Sequence, residues 1–505
     1  MIPEIKFGRY DYYEDEGQGA FVHSVSGVSA AEYAEYIAEL AEAGFLLRED
    51  YMLSQNSFAT FEKDGDAVFC AYYPALSEMK VVTEEKSAYL SFKDTPCEEI
   101  CSPLLTQIDL EDFGMSYVIR LSDGRFIVFD GGWDFEPDAE KLMKALIDQS
   151  PYAEPIIAAW IMTHPHIDHY RCFLKLYERY SERIVIERFI FNFPDLTEAN
   201  REKVPPLFNS DEDVHIKRLF EIVKETKAPL YKAHTGQQFS IGGAELCVLA
   251  SPDDTFVTPV RDTNWFSLVI KMEIAGQTIL FAADSYFHKA KLGERWGEYL
   301  KSDILQVPHH AFAGGRIAEY NFINPEVCLV PGFEDDTLAT ICIYKDINKH
   351  LIYNLGVKDY FTGSQGNVTL PLPYTPRENG KELLFKKIDE YGKSLGAKSW
   401  FFDGVNSGAC DFFFINAAAT VATVKADLIF ADFKYSVKSI VINIPAYSNS
   451  TVNIVDPNAV DGDALFFNRA SLKKKGVPDG VSFTVHFTSD VPIIIKGKKE
   501  AIYFA

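Results

Sequence analysis

The sequence predicts an α+β protein built from several domains. Its 505 residues exceed what one hydrophobic core usually organises, so two or three domains are expected. Strand-like apolar runs alternate with segments in which apolar residues recur at helical spacing, which indicates mixed α and β structure. A hydrophobic content of 47% and an aromatic content of 14% are typical of a well-packed globular protein.

Residues 1–95 predict a small α+β module. Ser29-Ala-Ala-Glu32 has the pattern of a capping box and should begin a helix. Two strand-like runs, 57–62 and 67–73, flank Lys63-Asp-Gly-Asp66, which is a hairpin signal. No residue pattern with obvious chemistry occurs here, so we expect a structural module or one that borders the substrate.

Residues 385–505 predict an all-β sandwich. Val481–Thr488 alternates apolar and polar residues, and so do the residues around Ile440, Ile442 and Ile444. Many short strands at this spacing are typical of sandwiches. The proline-rich and polar stretch from 371 to 381 is expected to be the linker that precedes this domain.

The densest chemistry lies in Ile161–Tyr170, which contains His164, His166, Asp168 and His169. The apolar run 156–162 predicts a buried strand before it, and helical spacing follows it. Three imidazoles and a carboxylate this close together are favourable when they share a cation. The stretch therefore predicts a metal site in a loop at the end of a sheet.

Three other predicted strands end in residues that could join such a site. Arg125–Asp130 ends in an aspartate followed by Gly-Gly-Trp133, and Ala275–Asp284 reads as a hairpin whose second strand ends in a carboxylate. A third strand runs into Val307-Pro-His-His310. In each case the acid or histidine falls where a strand gives way to a loop.

Together these motifs resemble the metallo-β-lactamase-fold hydrolases over residues 100–375. Asp130-Gly-Gly and His164-x-His166-x-Asp168-His169 resemble the family's first two motifs, and Val307-Pro-His-His310 is similar to the branch that includes the soluble domain of the bacterial DNA-uptake channel protein. The resemblance implies a central αββα domain that binds two divalent metal ions, with zinc expected first and manganese or iron as alternatives.

The resemblance also implies a ligand set. One ion would be held by His164, His166 and Asp284, and the other by Asp168, His169, Asp284 and His310. Within the His-His pair, His310 is the better candidate ligand, but the choice between His309 and His310 stays open. The Gly-His-Thr segment of many family members has no counterpart here, because an Asn264-x-x-Ser-Leu-Val segment stands in that region. We therefore expect partial occupancy of the first site.

Further residues are candidates for catalysis or support. Asp168 would ligate its ion and orient the nucleophile, while His309 would face the substrate and, with Tyr170, is a candidate acid for the leaving group. Asp130 is expected to support the metal loop. Tyr170, Asn192 and Asn264 are candidates for substrate binding or for support of the ligands, and His234 is expected to be a turn residue.

These inferences predict a metal-dependent hydrolase that uses a metal-bound hydroxide on a phosphoester or phosphodiester. Two alternatives stay open: a catalytically silent metal-binding scaffold or interaction protein, and a nuclease. A formal net charge of −24 disfavours nucleic acid, whose binders neutralise phosphates with clustered Lys and Arg. A small molecule or headgroup is therefore the expected substrate, and the sequence gives no oligomeric state.

No apolar run approaches the roughly 18–20 residues of a membrane span, and no signal peptide is visible at the N-terminus. The eight cysteines are scattered, mostly in apolar strand-like runs, without the spacing of a disulfide framework. We therefore expect a cytoplasmic protein.

Overall fold

In the computed structural model the chain forms two compact units, residues 1–337 with 347–378, and residues 338–346 with 379–505. The structure describes the following ranges: 2–17, 20–85, 91–95, 98–193, 212–255, 262–335, 337–338, 347–395, 397–405, 411–416, 418–430, 437–453 and 483–497.

The first unit begins with an antiparallel sheet and one helix. The strands are β1 (Arg9–Gly17), β2 (Ala20–Ser26), β3 (Leu46–Leu53), β4 (Asn56–Lys63), β5 (Asp66–Tyr73) and β6 (Glu78–Glu85), in the order β1-β2-β6-β5-β4-β3. Helix α1 (Ala30–Glu42) begins at the predicted capping box, where the Ser29 hydroxyl accepts from the Glu32 amide and the Ser29 amide donates to the Glu32 carboxylate. The predicted helix start and the hairpin at Lys63–Asp66 are both confirmed.

The central part of the first unit contains two mixed sheets of eight strands each. The first has the order β14-β13-β11-β10-β9-β8-β22, with β12 beside β11, and the second has the order β21-β20-β19-β18-β17-β16-β15-β7. Their strands are β7 (Phe92–Lys93), β8 (Leu104–Gln107), β9 (Ser116–Arg120), β10 (Phe126–Asp130), β11 (Ile156–Ile161), β12 (Val185–Ile186), β13 (Phe189–Ile190), β14 (Leu230–Tyr231), β15 (Gln238–Ile241), β16 (Ala244–Ala250), β17 (Val269–Ile274), β18 (Gln277–Phe281), β19 (Ile304–Gln306), β20 (Val327–Phe333), β21 (Asp359–Gly363) and β22 (Val368–Pro371).

The helices of this domain are α2 (Glu136–Gln149), α3 (Ile167–Tyr180), α4 (Glu212–Thr226), α5 (Leu292–Trp296), α6 (Ile317–Ile323) and α7 (Lys349–Tyr353). Apolar side chains of both sheets form one core between them, in which the rings of Phe129 and Phe281 stack with centroids 4.0 Å apart. A second core lies between the first sheet and α2, α3 and α4. The predicted αββα layering is confirmed.

The strand directions gather several loops at one edge of the domain. β10 and β11 run parallel in the first sheet, and β18 and β19 run parallel in the second. Parallel neighbours end at the same edge of a sheet, which is where open α/β sheets usually place their sites. The loops after β11, β18 and β19 carry the predicted metal ligands, and β10 ends in Asp130, the predicted supporting residue.

In its described ranges the second unit contains helix α8 (Gly380–Leu395) and six strands, β23 (Ala397–Val405), β24 (Asp411–Asn416), β25 (Ala422–Phe430), β26 (Val437–Ile444), β27 (Ser448–Asn453) and β28 (Phe483–Gly497). The first half of β28 pairs with β23 and β25, and its last residues pair with β24, so one long strand serves two sheets. The expected alternation is present, since Val485 and Phe487 are buried.

Local details differ from the sequence predictions. Helix α8 begins at Gly380, inside the stretch expected to be a linker. The sequence prediction missed this helix because it follows a proline-rich segment. The strand expected over 184–194 is two short strands, β12 and β13. The pair expected at 360–370 is β21 and β22, which belong to different sheets. Among the described residues, no helix combines the length and apolarity that crossing a bilayer requires.

Candidate metal centre

Four loops bring eight candidate residues together at the edge of the two sheets. Asp130 ends β10, and the residues from Thr163 to His169 join β11 to α3. Asp284 lies just after β18, and His309 and His310 follow β19. Since each residue is at a strand end or in the first turn of a helix, its backbone is fixed by the sheets behind it.

The histidines converge on one carboxylate oxygen. Oδ2 of Asp284 lies 3.2 Å from Nε2 of His310 and 3.4 Å from Nε2 of His169. The Nε2 atoms of His309 and His164 lie 3.8 Å and 4.0 Å from the same oxygen. Four imidazole nitrogens around one carboxylate oxygen is an arrangement that suits a carboxylate shared by two cations.

The donor atoms form two groups that share Asp284. The first donor group is His164, His166 and Asp284, and the second donor group is Asp168, His169, Asp284 and His310, with the ligand atoms of each group within 4.8 Å of one another. Within the second group, Oδ2 of Asp168 is 3.0 Å from Nε2 of His310 and 3.5 Å from Nε2 of His169. The structure therefore brings together all six residues expected to bind metal.

The chemistry of these donors fits divalent metal ions. Nitrogen and carboxylate oxygen are the ligands that zinc takes in proteins. Nε2 of His164, His169 and His310 and Oδ1 of Asp284 are buried and make no well-directed hydrogen bond among the described residues. Buried polar atoms are nearly always satisfied, so orphaned atoms that face one another indicate a cation between them.

Hydrogen bonds behind the ligands leave the inner nitrogens free. The Nδ1 atom of His169 lies 2.8 Å from Oδ2 of Asp130, and Nδ1 of His310 lies 2.6 Å from the carbonyl oxygen of Pro331. Because both partners only accept, each Nδ1 carries a proton, and each Nε2 is the nitrogen that a metal would take in place of the second proton. Asp130 also accepts from the amide and hydroxyl of Thr163, at 2.7 Å each.

The loop backbone is strained where it aims these side chains. Asp130, His309, His310 and Ala311 have φ angles of 53°, 50°, 51° and 68°. Non-glycine residues seldom occupy this left-handed region, and each costs on the order of 1–3 kcal/mol. Three such residues in succession mark the His-His turn as a segment held in place by the surrounding structure.

The electrostatics favour cations in the second donor group. Burial alone would lower the pKa of His310, but the Asp284 and Asp168 carboxylates raise it to about 10. Burial would likewise lower the pKa of His169, but Asp284, Asp168 and Asp130 raise it well above its usual value. The carboxylates thus attract positive charge strongly enough to overcome the cost of burial.

The first donor group behaves differently. Burial, and after it the neighbouring imidazoles of His169 and His166, lower the pKa of His164 well below its usual range. Burial also lowers the pKa of His166, against the opposing effect of Asp168. Both imidazoles are therefore neutral near pH 7 and can offer lone pairs to a metal.

Thr263 and Asn264 each contact a histidine of the centre. The Thr263 hydroxyl contacts Nε2 of His166, and Nδ2 of Asn264 lies 3.4 Å from Nε2 of His309. Asn264 was among the predicted residues, whereas Thr263 was not. The only sequence signal for Thr263 was its place next to Asn264.

Two predicted residues lie elsewhere. The ring of Tyr170 packs in the core under α3, against Phe193, and neither donor group includes it. The Nδ2 atom of Asn192 donates to the carbonyl of Ala233, at 3.1 Å, and contacts Oδ1 of Asp253, at 3.3 Å. Asn192 thus joins a second polar cluster rather than either donor group.

That second cluster, the His234 cluster, consists of Glu84, Lys232, His234 and Asp253. His234 was expected to be a turn residue, but it is buried, with Nδ1 2.9 Å from Asp253 and Nε2 2.9 Å from Glu84. Lys232 also pairs with Glu84, at 2.6 Å. The sequence could not show this, because Glu84 is 150 residues away from His234 along the chain.

Aromatic side chains line one side of the centre. This aromatic wall consists of Phe113, Trp133, Phe135 and Phe312. The ring of Phe113 lies 5.3 Å from that of His310 and 5.9 Å from that of Phe312, and Trp133 stacks on Phe135. Phe312 is 47% exposed and Phe135 is 37% exposed. An exposed apolar surface next to the second donor group is available to a substrate.

Comparisons with known proteins agree with this geometry. Residues 110–248 match the family model described as the metallo-beta-lactamase superfamily, a range that includes Asp130 and the loop from His164 to His169. No curated protein matches the sequence.

Solved structures align at low identity. The Anabaena sensory rhodopsin transducer aligns at 20% identity over 20% of this chain and 96% of that chain, with a TM-score of 0.16. CmlA, a diiron beta-hydroxylase from Streptomyces venezuelae, aligns at 14% identity over 55% of each chain, with a TM-score of 0.34. The metallo-beta-lactamase fold protein YhfI from Bacillus subtilis aligns at 12% identity over 53% of this chain and 98% of that chain, with a TM-score of 0.31.

Proposed function

We propose that this protein, whose central domain belongs to the metallo-β-lactamase superfamily, is a metal-dependent hydrolase that acts on a phosphoester or phosphodiester. The observation that carries the proposal is the pair of donor groups sharing Asp284. Zinc suits the ligands best, and manganese or iron are alternatives.

Two divalent ions held by these groups would act as Lewis acids and would lower the pKa of a coordinated water toward about 7. The side chains around them would direct the reaction. Despite its burial, the neighbouring imidazoles of His169 and His310 lower the pKa of Asp168, so it stays ionised at neutral pH. We assign Asp168 the role of accepting a hydrogen bond from the attacking water and aligning it with the substrate.

Polar side chains beside the donor groups would hold the substrate. The Thr263 hydroxyl contacts His166 of the first donor group, and the Asn264 side chain lies close by, next to His309. A phosphoester presents several oxygens that such groups can bind while a metal binds another. The tetrahedral anion is therefore a better match to this mixture of metal and donors than a lactam or a lactone.

The aromatic wall supports a substrate with an apolar substituent. It contacts His310 directly, so a phosphorus atom bound at the second donor group would place one ester group against Phe113 and Phe312. Contacts between aromatic rings are worth about 0.5–1.5 kcal/mol each beyond the area that they bury. We therefore favour a small ester with an apolar or aromatic group over a highly charged polymer.

Metal analysis combined with a hydrolysis assay tests the proposal. The purified protein would be analysed for bound transition metals, loaded with Mn²⁺ or Zn²⁺, and assayed on bis(p-nitrophenyl) phosphate, with a lactone as a comparison substrate. We expect metal binding and metal-dependent hydrolysis of the phosphodiester, both lost in Asp284→Asn. A protein that binds no transition metal and hydrolyses nothing after loading contradicts the proposal.

A metal-binding scaffold without catalytic activity is the second candidate. One observation favours it, since the first donor group contains two nitrogens and only a shared carboxylate. The same assay distinguishes the two candidate functions. A scaffold would bind metal yet hydrolyse no phosphoester, carboxyl ester or lactone, whereas the hydrolase would turn over at least the phosphodiester.

A further inference from the structure

The first donor group needs another ligand if it is to hold an ion firmly. His164 and His166 supply two nitrogens, and Asp284 must be shared with the second donor group. A zinc site usually has four ligands, of which three come from protein even in catalytic sites. Among the described residues no other member joins this donor group, so a third nitrogen would have to come from a neighbouring histidine.

His309 lies near the shared carboxylate and belongs to neither donor group. Its Nε2 atom is 3.8 Å from Oδ2 of Asp284, close to the 4.0 Å that separates Nε2 of His164 from that oxygen. Two ligand atoms that hold one tetrahedral zinc ion at their usual bond lengths lie about 3.4 Å apart. Both nitrogens are thus spaced from Asp284 as ligands of a shared ion would be.

Its neighbour His310 is already committed to the second donor group. Nε2 of His310 lies 3.0 Å from Asp168, and Nδ1 is fixed by the carbonyl of Pro331. The left-handed turn at Pro308-His-His-Ala311 separates the two rings, whose centroids are 6.0 Å apart and whose planes differ by 64°. Adjacent residues can therefore face different ions.

Asn264 contacts the nitrogen that would bind the ion. Its Nδ2 atom lies 3.4 Å from Nε2 of His309, so the amide has to turn away when that nitrogen binds an ion. The distances also require a small movement, because Nε2 of His309 is not within 4.8 Å of all three donors of the first group. We expect the ring, which is partly exposed, to move toward the ion when the ion binds.

We propose that His309 supplies the third nitrogen ligand of the first ion, so that the two histidines of the Pro-His-His turn serve different ions. This inference rests on the proposed metal centre and refines it. The turn would then supply the nitrogen that the first donor group lacks, and Asn264 would not be a ligand.

Metal stoichiometry tests this assignment without relying on catalysis. Wild-type protein, His309→Ala, His309→Asn and the matched control His288→Ala, which removes an exposed histidine outside both groups, would be loaded with Zn²⁺ and dialysed. Bound zinc would then be measured, together with the zinc affinity in competition with a chelator. Substitution by Co²⁺ would show the ligand field of the first ion directly in the visible spectrum.

We expect two ions in the wild-type protein and in His288→Ala. Both His309 variants should keep the tightly held ion and bind the other at least about 100-fold more weakly, the upper end of the loss seen when a supporting partner is removed. Two ions of unchanged affinity in both His309 variants would overturn the assignment and place His309 on the substrate. If the wild-type protein binds two ions but hydrolyses nothing, the proposed function fails while the ligand assignment stands.

Discussion

At the scale of single residues, the centre depends on which nitrogen of each imidazole carries the proton. Asp130 and the carbonyl of Pro331 accept from the Nδ1 atoms of His169 and His310, so the Nε2 atoms are the ones that a metal would take. A change behind the ligands should therefore alter metal binding without removing any ligand.

Asp130→Asn should weaken binding of the second ion by about 10–100-fold, the usual cost of losing such a partner. The amide can present an N–H group to His169, which would move the imidazole proton to Nε2 and toward the metal. Zinc affinity measured against a competing chelator checks this. Asp138→Asn, at another buried aspartate of the same domain, should bind zinc as the wild type does, and equal affinities in both variants would contradict the account.

Phe312→Ala should reduce the protein's preference for ligands that carry an apolar group. Phenylphosphonate and methylphosphonate share the metal-binding headgroup, so the ratio of their inhibition constants reports contact with the aromatic wall. We expect the variant to reduce this ratio by about 2–10-fold through weaker phenylphosphonate binding, consistent with one lost ring contact. Ile147→Ala, an exposed position near the end of α2, serves as the control. An unchanged ratio in Phe312→Ala would show that the wall does not hold the substrate.

The sequence predicted the individual ligands well because their chemistry is local. His164, His166, Asp168 and His169 are neighbours in the chain, and Asp284 and His310 each end a strand that apolar runs identify. Supporting residues were harder to predict. Thr263 has a side chain without distinctive chemistry, and the contribution of Pro331 is a backbone carbonyl, which no residue type can indicate. Tyr170 follows the motif directly, but the turn of α3 directs its ring into the core.

At the scale of elements, buried charges connect the N-terminal sheet to the loops of the central domain. Glu84 of β6 pairs with His234, and Lys80 of the same strand donates to the carbonyl of Asp253, at 2.9 Å. At the start of β6, Glu78 pairs with the buried Arg295, at 2.8 Å. Removing one partner of such a pair typically costs 3–5 kcal/mol, because the other charge stays buried.

The His234 cluster gives this connection a dependence on pH. Burial alone would lower the pKa of His234, but Asp253 and Glu84 raise it to about 10. A group whose pKa is raised by folding contributes stability that is complete below its unfolded pKa, near 6.5, and is lost as the pH rises through about 10. The wild-type protein should therefore lose stability over this range faster than His234→Gln, by at most about 1.4 kcal/mol per pH unit.

Thermal unfolding midpoints of both proteins at pH 6, 8 and 10 check this prediction. Other groups titrate in the same range, so the informative quantity is the difference between the unfolding midpoints of the two proteins at each pH. It should be largest at pH 6 and should shrink toward pH 10. A difference that is constant or grows with pH would mean that His234 is neutral in the folded protein.

At the scale of the whole molecule, composition predicted the class of fold, but it did not predict how distant segments meet. The αββα layering follows from apolar runs and helical spacing, and these are local patterns. Contacts between β6 and the loop after β14 join residues 150 positions apart, and no pattern within either segment indicates the other. The helix α8 was missed because its polar residues follow a proline-rich stretch.

The net charge of −24 should keep the protein away from nucleic acids. An acidic surface repels phosphates, and binders of DNA normally gain affinity by releasing counterions from them. We expect no shift of a labelled single-stranded or double-stranded DNA in a gel at low salt, with or without Mn²⁺. Tight binding that falls steeply with salt would restore the nuclease as the preferred function.

The central claim is that Asp284 is shared by two metal ions. The most direct test is a crystal of the zinc-loaded protein examined by anomalous diffraction at the zinc edge. The account predicts two peaks in contact with the Asp284 carboxylate, about 3.5–4 Å apart, one beside His164 and His166 and the other beside Asp168, His169 and His310. No peak at Asp284, or zinc bound only at other histidines, would contradict it.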